Sequence, residues 1–358
     1  MREIEVLMNN TTEYINEFSL PVNFDEVYNY HKSMKEYKET PLHCLEALAD
    51  DLNVKEIYVK DESYRFGLNA FKGLGVSFAI NKILKKNHKS SYTFVSCTDG
   101  NHGKALAWMA NLLGYKAIVF MPKGSEQRRI KAIEDYHAEV IVTEMNYDDT
   151  VRYAADYAKA NNYYLIQDTA LPGYTEVAND IILGYSTMIR EALEQIPQIP
   201  THIFLQAGVG SMAGGVIWYI SQKSDGAFPF IGIIESSNVP CIYESVAKDK
   251  LISIGGEPST IMAGLNCGEP NFSIFPLLKA RCNCFIKCKD ETTIRGMMRA
   301  KNPMANDCSF NAGESGAVGL GFIEKVMTDP DYVSLKKNLK LDANSIVLVF
   351  NTEGETLV

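Results

Sequence analysis

From Ile57 onward the chain alternates short apolar runs of β type with amphipathic stretches of helical period. The runs are Ile57–Lys60, Tyr92–Ser96, Ala117–Met121, Val140–Thr143, Tyr164–Gln167, Ile203–Leu205, Phe230–Glu235, Cys284–Lys287 and Ile346–Phe350. Unbroken apolar runs of this length suit strands covered on both faces, and the stretches between them supply the covering helices. The pattern predicts an α/β protein with two open, twisted, mostly parallel sheets and helices on both faces. Residues 1–40 are polar and aromatic, with one short helix expected around Phe24 to Lys38, and Thr40-Pro41-Leu42 opens the globular part.

Four of the runs fall in close succession within residues 91–168, each followed by an amphipathic stretch. A small α/β domain over residues 91–194 is therefore expected, inserted into a large domain built from residues 1–90 and 195–358. Asp148-Asp149-Thr150 is placed to cap the helix that runs on through Tyr153 and Ala154. No internal repeat or low-complexity segment interrupts the pattern.

Composition narrows the class without naming it. The 358 residues are 46% hydrophobic and 22% charged, ordinary for a globular chain able to bury a large core. The net charge of −9 and the lack of a Lys/Arg run remove electrostatic support for nucleic-acid binding. No apolar run reaches the length of a membrane span, and the N-terminus has no hydrophobic signal core, so a cytoplasmic location is expected. Eight cysteines are too sparse for a disulfide scaffold. Cys282, Cys284 and Cys288 are evenly spaced and would share one face of a strand as buried thiols. They lack the fourth ligand and the knuckle spacing of a zinc site, so no metal is expected.

Lys72 carries the chemistry. It follows a β run and a Gly/Asn loop, in Arg65-Phe66-Gly67-Leu68-Asn69-Ala70-Phe71-Lys72-Gly73, at the start of a helix. The positive end of a helix disfavours a cation, which suits a lysine that works as a neutral amine toward a carbonyl cofactor. Alone, a lysine is ordinarily a solvated surface group. Two later motifs change that reading. Cys97-Thr98-Asp99-Gly100-Asn101-His102-Gly103 and Gln206-Ala207-Gly208-Val209-Gly210-Ser211-Met212-Ala213 each join a strand to a helix. Such turns aim backbone N–H groups and a helix N-terminus at one anion.

Taken in order, these three segments resemble the fold type II pyridoxal-phosphate enzymes, the tryptophan-synthase β-subunit type. Ser63 to Lys72, Asp99 to Gly103, Gln167-Asp168-Thr169-Ala170, the glycine loop, Met262 to Pro270 and Thr352-Glu353-Gly354 are similar to the diaminopropionate ammonia-lyase family in particular. The resemblance implies pyridoxal 5′-phosphate held as an imine on Lys72, with Asn101 donating to its phenolic oxygen. It implies phosphate capture by the backbone of Gly208, Val209, Gly210, Ser211 and Met212 and by the Ser211 hydroxyl. Thr352 is the expected partner of the pyridine nitrogen, with Glu353 and Thr356 within reach of the same place. The implied reaction is α,β-elimination of D- or L-2,3-diaminopropionate to pyruvate and two ammonia, by a homodimer acting on a small amino acid.

Asp99 and Asp168 end strands of the small domain, where open α/β sheets present ligand-binding groups, although for an acid taken alone the N-cap reading wins. By the resemblance Asp99 serves chiefly the D-isomer and Asp168 is the candidate acid for the L-isomer. A second carboxylate would also hold the second ammonium. His102 is read as a local structural residue. Two departures from the family are visible: the C-terminal extension is expected to be absent or cut back, and Leu171-Pro172 follows Ala170 where a polar or aromatic residue is usual.

Three other readings compete. A serine/threonine dehydratase or a β-replacing synthase would use the same Lys72, Asn101 and glycine loop. A nicotinamide oxidoreductase would read Gly208-x-Gly210-x-x-Ala213 as a dinucleotide fingerprint, with Glu235 on the ribose. From that segment alone the nicotinamide and pyridoxal readings stand level; Lys72 and Asn101 break the tie.

Overall fold

Two separate sheets organise the protein, whose computed structural model describes residues 2–9, 20, 23–98, 100–223, 228–256 and 258–355. The strands are β1 (Ile4–Met8), β2 (Leu42–Cys44), β3 (Glu56–Asp61), β4 (Thr93–Cys97), β5 (Lys116–Met121), β6 (Glu139–Val142), β7 (Tyr164–Leu165), β8 (His202–Gln206), β9 (Phe230–Ser236), β10 (Cys284–Cys288) and β11 (Ile346–Asn351). The large sheet has the order β1-β10-β9-β8-β11-β3-β2 and the small one β6-β5-β4-β7. The small sheet is parallel throughout, and the five central strands of the large sheet are parallel too. Only the edge strands β1 and β2 run antiparallel.

The nine expected strands are all present. The edges β1 and β2 were not expected: each is short and only partly buried, so neither shows a continuous apolar run. The expected N-terminal helix is Phe24–Ser33, which stops where Met34 turns extended. The helix after β6 spans Tyr147–Ala160, and its cap is Asn146, whose side chain accepts from the Asp149 N–H at 2.9 Å. Asp148 and Asp149 lie in its first turn, where negative charge also suits the dipole.

Helices on one face of the large sheet form a single apolar mass with the inner face of the small one. The helix Gly73–Lys86 shows why. It buries Leu74, Val76, Phe78, Ala79, Ile80 and Ile83 and ends on Lys85 and Lys86, whose charge complements the helix dipole. A second cluster fills the other face of the large sheet, and a third backs the small sheet. The cysteine expectation needs correction. Cys284 and Cys288 face the second cluster, whereas Cys282 precedes the strand and packs in the first. No helix among the described residues is long and apolar enough to cross a membrane.

The residues just past the carboxyl ends of β4, β7, β8 and β11 line one common cavity. Open parallel sheets present their ligand groups at that edge.

Candidate active site

Lys72, Asn101, Asp168, the segment Gly208–Met212 and Thr352 line one cavity, together with Thr98, His102, Tyr147, Gln206, Cys267, Ser315 and Glu353. Asp99 and Thr356 lie outside the described residues.

Lys72 caps the helix Gly73–Lys86 and is delivered there by an unusual loop. Phe66, Gly67 and Asn69 all have positive φ, at 53°, 71° and 61°. An aromatic residue in that region is strained and persists only where its surroundings fix it. Here Arg65 beside it is fully buried, with Nη2 2.8 Å from both Glu62 Oε1 and Glu191 Oε2, while the Phe66 ring stacks on Trp108 at 5.1 Å.

Lys72 Nζ lies 2.5 Å from Asp168 Oδ2. Burial opposes charge on the lysine, but the Asp168 carboxylate outweighs it and raises the lysine's pKa above its ordinary value. Burial likewise opposes charge on Asp168, and Lys72 reverses that effect and holds the carboxyl below its usual range. Asp168 thus acts on the protonation of Lys72 in the opposite sense to the helix terminus. A contact carboxylate is a stronger influence than a helix terminus.

The Asp168 loop is knitted to the glycine loop. Ser211 Oγ donates to the Asp168 carbonyl at 2.5 Å, and Asn271 Nδ2 donates to that carbonyl and to Ser211 Oγ at 3.2 and 2.9 Å. The Asn271 backbone N–H also donates to the Val209 carbonyl at 2.8 Å. Asn271 and Gln206 were missed by sequence reasoning. Gln206 Nε2 donates to Thr352 Oγ1 at 3.0 Å and to the Phe350 carbonyl at 2.8 Å. Neither residue has a local signal, because each acts through partners far away in the chain.

The other expected residues sit as follows. Asn101 opens the helix Asn101–Leu113 and gives one amide hydrogen to Glu353 Oε2. Glu353 Oε1 accepts from the Ser315 N–H at 2.9 Å, so this carboxylate is already engaged at both oxygens. His102 has a partner after all: its Nε2 meets the Ile166 carbonyl at 2.8 Å. Burial pushes its pKa down. Leu171 and Tyr174 close a tight turn after Asp168, and the Tyr174 hydroxyl accepts from the Gln167 N–H at 2.9 Å. Glu235 is a helix cap. Its two oxygens accept the N–H groups of Ile242 and Tyr243 at 2.8 and 2.7 Å, and it is buried, which leaves it nothing for a ribose.

The chain's own residues fit pyridoxal phosphate. The N–H groups of Gly208, Val209 and Gly210 make no hydrogen bond within the described residues, beside the N-terminus of the helix Ser211–Lys223. A Cβ on Gly208 would lie 2.9 Å from Cys267 Sγ and from the Gly264 carbonyl, and Gly210 has φ +95°, so both positions require glycine. Thr352 Oγ1 accepts from Gln206 and keeps its own hydrogen to give, as an unprotonated ring nitrogen needs. Asn101 retains a second amide hydrogen for a phenolic oxygen.

Comparison with known proteins agrees. Residues 34–334 match the model of the family described as pyridoxal-phosphate dependent enzyme. Diaminopropionate ammonia-lyase of Escherichia coli K12 is 44% identical over 346 residues, covering 91% of this chain and 87% of that protein. The Salmonella typhimurium LT2 enzyme of the same name is 41% identical, covering 92% and 89%. The crystal structure of the Escherichia coli enzyme in complex with an aminoacrylate-PLP azomethine reaction intermediate superposes with a TM-score of 0.91 at 41% identity, covering 99% of this chain and 94% of that one. This chain belongs to the pyridoxal-phosphate dependent enzymes, in the diaminopropionate ammonia-lyase family.

Proposed function

We propose that this chain is a carbon–nitrogen lyase that converts D- and L-2,3-diaminopropionate to pyruvate and two ammonia by pyridoxal-phosphate-dependent α,β-elimination. The observation that carries this reading is the Lys72–Asp168 pair, set in the same cavity as the glycine loop, Asn101 and Thr352. Pyridoxal phosphate, when bound, supplies the electron sink that makes the substrate's α-hydrogen removable.

The residues do the rest. Gly208 to Met212 would hold the phosphate through their backbone N–H groups, whereas the Ser211 hydroxyl, expected on the phosphate, gives its one hydrogen to the Asp168 carbonyl and sets phosphate loop and acid together. Asn101 and Thr352 orient the ring from two sides. Lys72 anchors the cofactor and then works as an amine on one face of the substrate. Asp168, in contact with Lys72, can take its proton and return it, and its negative charge suits the substrate's second ammonium. Asp99 is assigned to the opposite face by the family resemblance, for the D-isomer. A departing ammonia leaves from an ammonium, which needs no acid of the kind a hydroxyl leaving group requires.

We read residues 91–194 as an inserted domain that forms one wall of the cavity, and 1–90 with 195–358 as the cofactor-binding domain. The assembly is proposed as a cytoplasmic homodimer. Eight free thiols fit a reducing compartment, and the dimer rests on the resemblance alone.

The test is to incubate the enzyme and pyridoxal phosphate with D- and L-2,3-diaminopropionate and with D- and L-serine, following pyruvate in a coupled assay. Rapid pyruvate from both diamino isomers, with serine slow, is expected. Pyruvate from serine alone would move the chain to the dehydratases.

A further inference from the structure

Away from the cofactor cavity, Cys308 Sγ lies 3.3 Å from His43 Nδ1, and His43 Nε2 lies 2.9 Å from Asp61 Oδ2. Asp61 is fully buried and His43 nearly so, with side-chain exposures of 0% and 15%, while Cys308 is exposed. The remaining cysteines are six buried thiols and the half-buried Cys44, so a reagent in solution meets Cys308 first.

The three groups stand in the order nucleophile, base, orienter. Asp61 fixes the tautomer: Nε2 carries the hydrogen it donates to the carboxylate, which leaves the Nδ1 lone pair facing the thiol. The imidazole is held from a second direction by stacking on Phe310, with ring centroids 4.7 Å apart and planes 17° from parallel. Asp61 is fixed in turn, since Oδ1 accepts from Asn351 Nδ2 at 2.7 Å and from Ser63 Oγ at 2.7 Å. The thiol's own loop is pinned by Asp307, whose oxygens take the Ala47 and Leu48 N–H groups at 2.9 Å each.

We propose that Cys308, with His43 as its base and Asp61 as the orienter of that base, is a site of covalent thiol modification by low-molecular-weight disulfides. It is a function separate from the elimination reaction. Cys308 gives its proton to His43 Nδ1 as its sulfur attacks one sulfur of the disulfide R–S–S–R. A bond forms between Cys308 and that RS group, the original S–S bond breaks, and the departing thiolate takes the proton from His43. The protein thiol is oxidised and the small disulfide is reduced to one thiol. Burial and the nearby Asp307 and Asp61 carboxylates push the Cys308 thiol up from its ordinary pKa, so the thiolate is not stored in advance. Proton removal by His43 during attack is what this site supplies.

The experiment treats the cofactor-loaded protein with 2,2′-dithiodipyridine, and separately with oxidised glutathione. Released thione or mixed disulfide is followed in time and the modified cysteine is located by peptide mass mapping. One fast-reacting thiol, mapped to Cys308, is expected. It disappears in Cys308→Ser and slows about tenfold in His43→Gln, the loss expected when the base that takes the proton of a protonated thiol is removed. Fast labelling at Cys44 or elsewhere, or an unchanged rate in His43→Gln, overturns the proposal. Should His43→Gln not fold, Phe310→Leu frees the imidazole without removing it. That variant is expected to slow the reaction several-fold, and an unchanged rate there also overturns the proposal.

Discussion

Lys72 Nζ and Asp168 Oδ2, 2.5 Å apart, form one proton-sharing unit, in which the carboxylate keeps the lysine cationic against the opposing effect of burial. An amine in that state cannot act as a nucleophile until its proton has moved. Asp168 is the adjacent place for the proton to go.

Replacing Asp168 by Asn removes the charge and leaves the burial. Burial alone lowers a lysine's pKa. The sign is therefore fixed: in Asp168→Asn, Lys72 loses its proton at lower pH than in the wild type. The measurement is the pH dependence of Lys72 labelling by an amine-reactive reagent in the cofactor-free protein, read by peptide mass mapping. Turnover of L-2,3-diaminopropionate is expected to fall on the order of 100-fold, the usual contribution of a placed acid or base. An unshifted labelling profile would show that the pair is not coupled.

The two acids are separable by substrate. Asp99→Asn is expected to lose mainly activity on the D-isomer, because the α-hydrogens of the two isomers point to opposite faces. Comparing kcat/KM for both isomers in the variant decides it, and equal loss on both sinks the assignment.

Cofactor affinity should respond unequally to its two ends. In Gly208→Ala the new methyl enters space held by Cys267 Sγ and the Gly264 carbonyl, both 2.9 Å away, at the point where the phosphate must approach the backbone. In Thr352→Val one hydrogen bond to the cofactor is lost, about 1 kcal/mol and several-fold in Kd. Absorbance titration of the cofactor-free proteins should rank Gly208→Ala the weaker binder. The reverse order would place the phosphate elsewhere.

Much of this was legible in the chain because it is local. The central strands β4, β5, β8 and β11 are buried along most of their length and read as unbroken apolar runs, while β6 at the edge of the small sheet is only partly buried, and the strand–turn–helix segments at Asn101 and Gly208 carry their geometry in their own residues. What was missed is non-local. Asn271 and Gln206 act on Ser211, Asp168 and Thr352 from 60 to 146 residues away in sequence. The protonation of Lys72 depends on a carboxylate 96 residues distant. A helix-dipole argument sees only the lysine's own helix, so it leaves that carboxylate out. The triad at Cys308 was invisible for the same reason, since its members lie on β2, at the end of β3 and in a late loop.

Glu235 tests the correction to the nucleotide reading. Its carboxyl is buried between β9 and the helix Cys241–Ala247, and burial pushes its pKa up to about 8 despite the two backbone N–H groups it accepts. An unfolded glutamate titrates near 4.3. Between those values the folded protein holds a proton that the unfolded chain has released, so this group makes stability fall as pH rises from about 4.3 toward about 8. Glu235→Gln has nearly the same shape as the protonated acid, keeps an oxygen for one N–H, and does not titrate. The two proteins should therefore melt at similar temperatures near pH 4.5, with the Gln variant gaining on the wild type as pH approaches 8.5. Thermal melts across that range measure it. A difference in Tm that stays flat would mean the carboxylate titrates as an ordinary exposed acid, which is the state a ribose-binding residue would need and a buried helix cap would not.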